Sequence, residues 1–202
     1  MAKLTFFYGE MGSGKTARLI KDAKEAIAEG KKIIVMKPSV DTKNGRNLLS
    51  REGESYPVDF LVGRGDDLYD LLGSALLVEV IFVDEAQFLA KEQIDQLLRF
   101  ATFFDVPVNA YGLRLNFYLE DENFAGATRL LQIAHRLVCL ESYCDFCKKE
   151  QAIFSCVFVN GEIQISGPSI LISDGTREVD AHAICVKCYY KSISYLGPRK
   201  RA

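Results

Sequence analysis

Apolar and polar positions come in alternating blocks along this chain, and the blocks predict strands and helices in turn. Leu4-Thr5-Phe6-Phe7-Tyr8 is apolar and aromatic, so residues 3–8 read as a buried strand. Residues 15–29 put Ala17, Ile20, Ala23, Ala26 and Ile27 at helical spacing, with Gly30 placed to end the helix. Ile33-Ile34-Val35 marks a second strand over residues 32–37, and Pro38 stops it. Strand, helix and strand in so short a span imply a right-handed parallel crossover.

The alternation continues. Residues 66–77 read as a helix with Leu68, Leu71, Leu72 and Ala75 on one face, and residues 78–83 as a strand closed by Asp84. Residues 91–104 are amphipathic, with Ile94, Leu97, Leu98 and Ala101 on the apolar side. Residues 106–111 form the next strand, ending at Gly112; residues 113–118 then leave the sheet at the edge where ligands bind in parallel sheets. A helix over 123–134 and a strand over 136–140 complete one α/β domain, residues 1–140.

The character changes at Cys144, and residues 141–202 read as a second, small domain. Residues 152–159 and 162–166 flank Asn160-Gly161, the signature of a hairpin with a type I′ turn. Residues 167–183 carry Gly, Pro, Ser and Asp with little periodicity, and predict a long loop of the lid or binding kind.

Composition adds bounds. The 202 residues suit one sizeable domain plus an appendage. Hydrophobic residues at 49% and charged residues at 26% describe an ordinary globular chain. A net charge of −2 gives no electrostatic reason to bind nucleic acid, and Arg199-Lys200-Arg201 reads as a solvated terminus. No apolar run approaches the ~18–20 residues of a membrane helix, and no signal-peptide layout is present. A cytoplasmic protein with no membrane partner is therefore expected, with reduced thiols. Six cysteines then point to a metal rather than to disulfides.

The chemistry starts at Gly9-Glu10-Met11-Gly12-Ser13-Gly14-Lys15-Thr16, which reads G-x-x-x-x-G-K-T between a strand and a helix. The glycines let backbone N–H groups converge on an anion, aided by the positive end of the helix that follows. In such a loop Lys15 reaches the β- and γ-phosphates of ATP, and the Thr16 hydroxyl ligates Mg²⁺. Asp84, at the tip of an apolar strand, completes the Mg²⁺ site directly or through water. Glu85 follows it, placed to take a proton from an attacking hydroxyl or water. Gln87 is a candidate for hydrogen bonding a phosphate or a metal-bound water. Phe88 is either a surface for stacking on a base or core. Asp41, Lys43 and Arg51, after the second strand, are candidates for nucleotide or metal contacts, with a solvated loop as the expected alternative.

Cys144-Asp145-Phe146-Cys147 and Cys185-Val186-Lys187-Cys188 are two C-x-x-C pairs. Four thiolates make a closed tetrahedral Zn²⁺ site, which is structural rather than catalytic. Cys139 and Cys156 are left over and are expected in the core.

With these residues in view, the chain resembles the cellular, zinc-containing (type II) thymidine kinases, and their bacterial and phage members in particular. The resemblance rests on residues 6–19, Lys37-Pro38-x-x-Asp41-Thr42, Ser50-Arg51, Val83-Asp84-Glu85-Ala86-Gln87-Phe88-Leu89, Val106-Pro107-Val108, Tyr111-Gly112-Leu113-Arg114 and the two cysteine pairs. It implies a P-loop (RecA-like) parallel sheet with helices on both faces, plus a small zinc domain whose lasso loop covers the nucleoside site. It implies ATP:thymidine 5′-phosphotransfer, a homotetramer and feedback inhibition by thymidine triphosphate (dTTP). Glu85 would deprotonate the nucleoside 5′-hydroxyl. Met11, Phe88, Leu113, Phe117 and Phe124 sit where the family lines its nucleoside pocket, and Ser155 where a side chain lies near the base's 5-methyl group.

The chain departs from that family at three places. Ala181 stands where the lasso usually has Tyr, Val186 where Arg usually follows the cysteine, and Leu115-Asn116 where Thr-Asp is common. Those changes bear on nucleoside choice and leave phosphoryl transfer untouched. Two other functions fit parts of the pattern. Asp84-Glu85-Ala86-Gln87 spells a helicase-like box, which suggests a nucleic-acid-stimulated ATPase. Against it stand a length with no room for a second motor domain and a near-neutral charge. The altered lasso also suggests a catalytically inactive nucleotide-binding relative.

Overall fold

A computed structural model describes residues 1–42, 44–73, 77–167 and 179–194. Lys43, Ala75, residues 168–178 of the expected loop and the basic tail at 199–201 lie outside the described residues.

Six strands form a parallel sheet: β1 (Leu4–Tyr8), β2 (Ile33–Pro38), β5 (Phe60–Val62), β6 (Val80–Val83), β7 (Val108–Gly112) and β8 (Arg136–Cys139). Their order is β5-β2-β6-β7-β1-β8. Alternation along the strands sorts side chains onto two faces. Phe6, Met36, Ile81, Val83 and Ala110 pack with the helices α2 (Leu68–Leu72), α3 (Lys91–Phe103) and α4 (Ala125–Ile133). Phe7, Val35, Val80, Phe82 and Tyr111 pack with α1 (Lys15–Ala28) on the other. The expected parallel sheet with helices on both faces is therefore what the chain adopts. Burying Leu19 and Ile20 of α1, both fully covered, stabilises this layer by about 1.5–3 kcal/mol per side chain.

The helix ends follow their chemistry. Gly14, at φ 79°, turns the chain into α1. At the other end Gly30, at φ 81°, closes a Schellman cap, with its N–H on Ile27 O at 2.8 Å and Lys31 N–H on Ala26 O at 3.0 Å. Ile27 is exposed rather than buried; Leu19 takes its place on the core face. Helix α2 starts at Leu68 rather than at residue 66, because the Asp67 side chain caps it at Tyr69 N–H, 2.7 Å away; residues 74–76 of the expected helix lie outside the described residues.

Several short elements escape the apolar-run signal. Strands β3 (Asn47–Leu49) and β4 (Ser55–Pro57) pair as a small antiparallel hairpin, and β5 extends the parallel sheet beside β2. A second, three-stranded antiparallel sheet has the order β10-β9-β11. It contains β9 (Phe154–Val159), β10 (Glu162–Ile163) and β11 (Val179–Ile184), with α5 (Val186–Ser194) following. Asn160 at φ 50° and Gly161 at φ 77° make the hairpin turn between β9 and β10. Residues 179–183, expected as loop, are strand: each pairs with β9, from Val179 opposite Val159 to Ala183 opposite Ser155.

The chain divides into two compact units. One comprises residues 1–8, 14–114 and 124–140; the other comprises residues 9–13, 115–123 and 141–202. The first holds the six-stranded sheet and the second holds β9–β11 and α5 with the core of Cys156, Phe158, Ile163, Ile184 and Tyr189. No helix among the described residues is long and apolar enough to cross a membrane.

Candidate functional site

Parallel strands send their carboxyl ends to one edge, and Lys15, Asp84 and Glu85 follow the carboxyl ends of β1 and β6 there. β1 leads into the glycine loop, in which Gly12 and Gly14 both take φ near 78°. Only a residue without Cβ adopts that conformation cheaply. Lys15 and Thr16 open α1, and Lys15 is buried. The Thr16 hydroxyl donates to Asp84 Oδ2 at 3.1 Å.

Asp84 ends β6 and is buried. Burial, then the charge of Glu85, pushes its carboxyl up to about 7, against the hydrogen bond from Thr16 and the charge of Lys15. Its Oδ1 has no hydrogen-bond partner among the described residues. A buried carboxylate oxygen left bare beside a hydroxyl and a lysine fits a hard divalent cation such as Mg²⁺, which takes oxygen ligands.

Glu85 sits in the left-handed region at φ 48°, an uncommon state for a non-glycine residue and a form of strain found at functional sites. The 3₁₀ turn Ala86–Phe88 follows. Gln87, buried in this turn, donates from Nε2 to Glu85 Oε2 at 2.5 Å and accepts Leu113 N–H on Oε1 at 3.0 Å. Its amide thus fixes the Glu85 carboxylate against the end of β7. Two glycines make room for this turn. A Cβ at Gly112 would collide with Gln87 Oε1 and stand 3.1 Å from Gln87 N. A Cβ at Gly126 would lie 2.5 Å from Ala86 O and 2.8 Å from both Gln87 O and Leu89 O.

The aromatic and apolar candidates divide between the units. Phe88 and Phe124 meet edge-on at 5.2 Å in the first, where Leu113 is buried. Phe117 is buried in the second, with Asn116 beside it bonded to Asn123 and Glu122. Ser155 is buried on β9; it accepts Met11 N–H and donates to Glu10 Oε2, each at 2.8 Å. Asp41 does not face solvent alone: Lys37, fully buried, reaches it at 3.1 Å. Arg51 is exposed.

The four cysteines Cys144, Cys147, Cys185 and Cys188 place their sulfurs within 4.8 Å of one another. Sulfurs at about 2.3 Å from one zinc stand about 3.8 Å apart in a tetrahedron; Cys147 and Cys185 are 3.9 Å apart. The N–H groups of Glu150 and Lys149 bring the Cys147 thiol down to about 6, while burial and the neighbouring sulfurs push Cys188 up to about 12. Four such thiols form one closed set suited to a soft cation. Cys156 lies in the core as expected. Cys139 does not: it is exposed, because β8 is the edge of the sheet with one face uncovered.

The family model of thymidine kinase matches residues 2–189, nearly the whole chain. The chain belongs to the thymidine kinase family. It is 34% identical to a thymidine kinase of Enterobacteria phage T4, over 92% of this chain and 89% of that one. It is 33% identical to a thymidine kinase of Encephalitozoon cuniculi, over 95% and 88%. It is 28% identical to one of Streptococcus pyogenes, over 94% and 98%. Among solved structures, a pair of Pif1 helicases on forked double-stranded DNA aligns at TM-score 0.41 and 22% identity, over 68% of this chain and 39% of that one.

Some features of this thymidine kinase relative had no reading from its sequence. The burial of Lys37 was signalled by a lone charge at the end of Ile33-Ile34-Val35-Met36, a run that is otherwise buried strand. The pairing of Glu10 with Ser155 had no local signal, since the two are 145 residues apart.

Proposed function

We propose that this chain is an ATP-dependent deoxynucleoside kinase that transfers the γ-phosphoryl group of ATP to the 5′-hydroxyl of thymidine. Its role would be thymidine salvage, giving dTMP for DNA synthesis. The observation that carries the reading is the cluster of Lys15, Thr16, Asp84 and Glu85 at one sheet edge in a member of this family.

In this reading residues 9–16 hold the ATP phosphates through their backbone N–H groups, and Lys15 meets the β- and γ-phosphates. Thr16 and Asp84 would hold Mg²⁺, which when bound offsets charge on the phosphate oxygens. Glu85 takes the proton of the nucleoside 5′-hydroxyl as its oxygen forms a bond to the γ-phosphorus. The bond from that phosphorus to the β–γ bridging oxygen breaks, and ADP leaves with the electron pair. Gln87 holds Glu85 in place for this step. Met11, Phe88, Leu113, Phe117, Phe124 and Ser155 would bind the nucleoside. Cys144, Cys147, Cys185 and Cys188 would hold a structural Zn²⁺.

The family resemblance supports further parts of the proposal: a homotetramer, feedback inhibition by dTTP, a cytoplasmic place, and no nucleic-acid or membrane partner. The test is nucleoside-dependent ADP release by folded, zinc-loaded protein with thymidine, deoxyuridine and deoxycytidine. Turnover with thymidine is expected. ATP hydrolysis stimulated by DNA or RNA, with none stimulated by nucleosides, would overturn the reading.

A further inference from the structure

The phosphate loop of this chain carries an acid, Glu10, and that acid is almost wholly buried at 5% exposure. A carboxylate beside a triphosphate is unfavourable unless it is held away from the ligand. Glu10 is held by Ser155, whose hydroxyl donates to Oε2 at 2.8 Å. A serine hydroxyl has one proton and two lone pairs. The proton goes to Glu10 and one lone pair takes Met11 N–H at 2.8 Å. Ser155 therefore has no proton left to donate to a ligand.

The other side of Ser155 leads to the thiols. Ser155 on β9 pairs with Ala183 on β11. Ala183 exchanges two hydrogen bonds with Asp145: Asp145 N–H on Ala183 O at 2.7 Å, and Ala183 N–H on Asp145 Oδ2 at 2.8 Å. Asp145 lies inside the first cysteine pair, and Cys185 is two residues beyond Ala183. Ala183 uses both backbone groups on Asp145, so it meets Ser155 as a close, non-hydrogen-bonded strand pair; strand packing and short hydrogen bonds together thus link the four-thiol cluster to residues 10 and 11. Glu10 O also accepts Ser13 N–H at 3.1 Å, so fixing Glu10 fixes the turn up to Ser13.

We infer that Ser155 and Glu10 are a positioning pair, which sets the first half of the phosphate loop from the thiol cluster and so governs the ATP side of the site. This deepens the kinase reading and rests on its assignment of residues 9–16 to ATP. It gives Ser155 a second task besides lying near the base. It also gives the thiol cluster a reach beyond its own sheet.

The test uses the full, zinc-loaded chain with Ser155→Ala, Glu10→Ala, Glu10→Gln and the Ser155→Ala/Glu10→Ala double variant. Two quantities are read: equilibrium affinity for a non-hydrolysable ATP analogue, and KM for ATP against KM for thymidine and deoxyuridine. Each alanine variant should weaken nucleotide affinity roughly tenfold to a hundredfold, the worth of one hydrogen bond to a charged group. The double variant should lose no more than either single one, because the two residues act as one unit. Glu10→Gln keeps an acceptor for Ser155 and should recover most of what Glu10→Ala loses. In Glu10→Ala, which leaves Ser155 in place, the ratio of thymidine to deoxyuridine KM should stay put. Unchanged nucleotide affinity in Ser155→Ala, whatever the nucleoside ratio does, would overturn the inference. If Ser155→Ala does not fold, Glu10→Ala decides: wild-type nucleotide affinity there would overturn it. Binding is read without turnover, so a wild type that binds the analogue yet phosphorylates no nucleoside refutes the kinase proposal alone.

Discussion

Gln87 Nε2 donates to Glu85 Oε2 at 2.5 Å, and the same amide accepts Leu113 N–H through Oε1 at 3.0 Å. One buried amide thus ties the carboxylate after β6 to the backbone after β7. Replacing it by an apolar side chain of similar size leaves Glu85 free to turn, in a left-handed conformation that the chain does not favour on its own. Gln87→Leu is expected to lower kcat roughly tenfold or more, the worth of a hydrogen bond to a charged group, with KM for ATP changed little. Steady-state kinetics separate the two constants; an unaltered kcat would contradict the role.

Gly126 offers a test in which two effects have opposite sign. Alanine is a better helix residue than glycine by about 1 kcal/mol, and Gly126 lies in the first turn of α4. Against that gain, its Cβ would press on three backbone oxygens of the turn at 2.5–2.8 Å. Backbone atoms cannot rotate away, and overpacking costs about 1–3 kcal/mol or more. Gly126→Ala should therefore unfold at lower denaturant than the wild type; a higher midpoint would show that the turn gives way freely.

Asp84 makes a prediction in pH. Burial and Glu85 raise its carboxyl from 3.8 to about 7. A carboxyl with a folded pKa above its unfolded value binds its proton more tightly when folded, so stability falls as pH rises between those two values. Asp84→Asn removes the effect and keeps an acceptor for Thr16. In buffer without added magnesium, the Tm of the wild type should fall below that of Asp84→Asn progressively from about pH 4 to about pH 7, and the gap should then hold steady. Parallel Tm curves across that range would contradict the burial argument.

The thiol cluster predicts a stoichiometry. Its four sulfurs form one set and Cys139 lies outside it, exposed on β8. Metal analysis should find one zinc per chain in the wild type and in Cys139→Ser, as a closed four-sulfur site requires. Cys144→Ser should lose the zinc and lower the Tm. Retention of the metal in Cys144→Ser would break the assignment.

The sheet and its helices were legible because long apolar runs and helical spacing leave few alternatives. Residues 3–8, 32–37 and 91–104 fall within a residue or two of β1, β2 and α3. The elements that escaped are short or exposed. β3 and β4 have three residues each with mostly exposed side chains, so neither has a buried face to print a pattern. β11 alternates small and polar residues, Val179-Asp180-Ala181-His182-Ala183-Ile184, and forms because β9 lies beside it. Cys139 was expected inside since cysteine usually is, but the position of β8 at the sheet edge is a property of topology rather than of the residue. At the site, local order shows which acids follow β6. It cannot show that Gln87 reaches Leu113, or that Glu10 reaches Ser155, because both depend on segments brought together only by the fold.

The most direct measurement is thymidine-dependent formation of ADP and thymidine 5′-monophosphate by the wild type and by Glu85→Gln, each zinc-loaded and folded. The wild type should yield the two products in equal amounts. Glu85→Gln should be about 10²–10⁴-fold slower, the usual contribution of a general base, while still binding the ATP analogue. Product formation at the wild-type rate by Glu85→Gln, or no monophosphate from the wild type, would contradict the account.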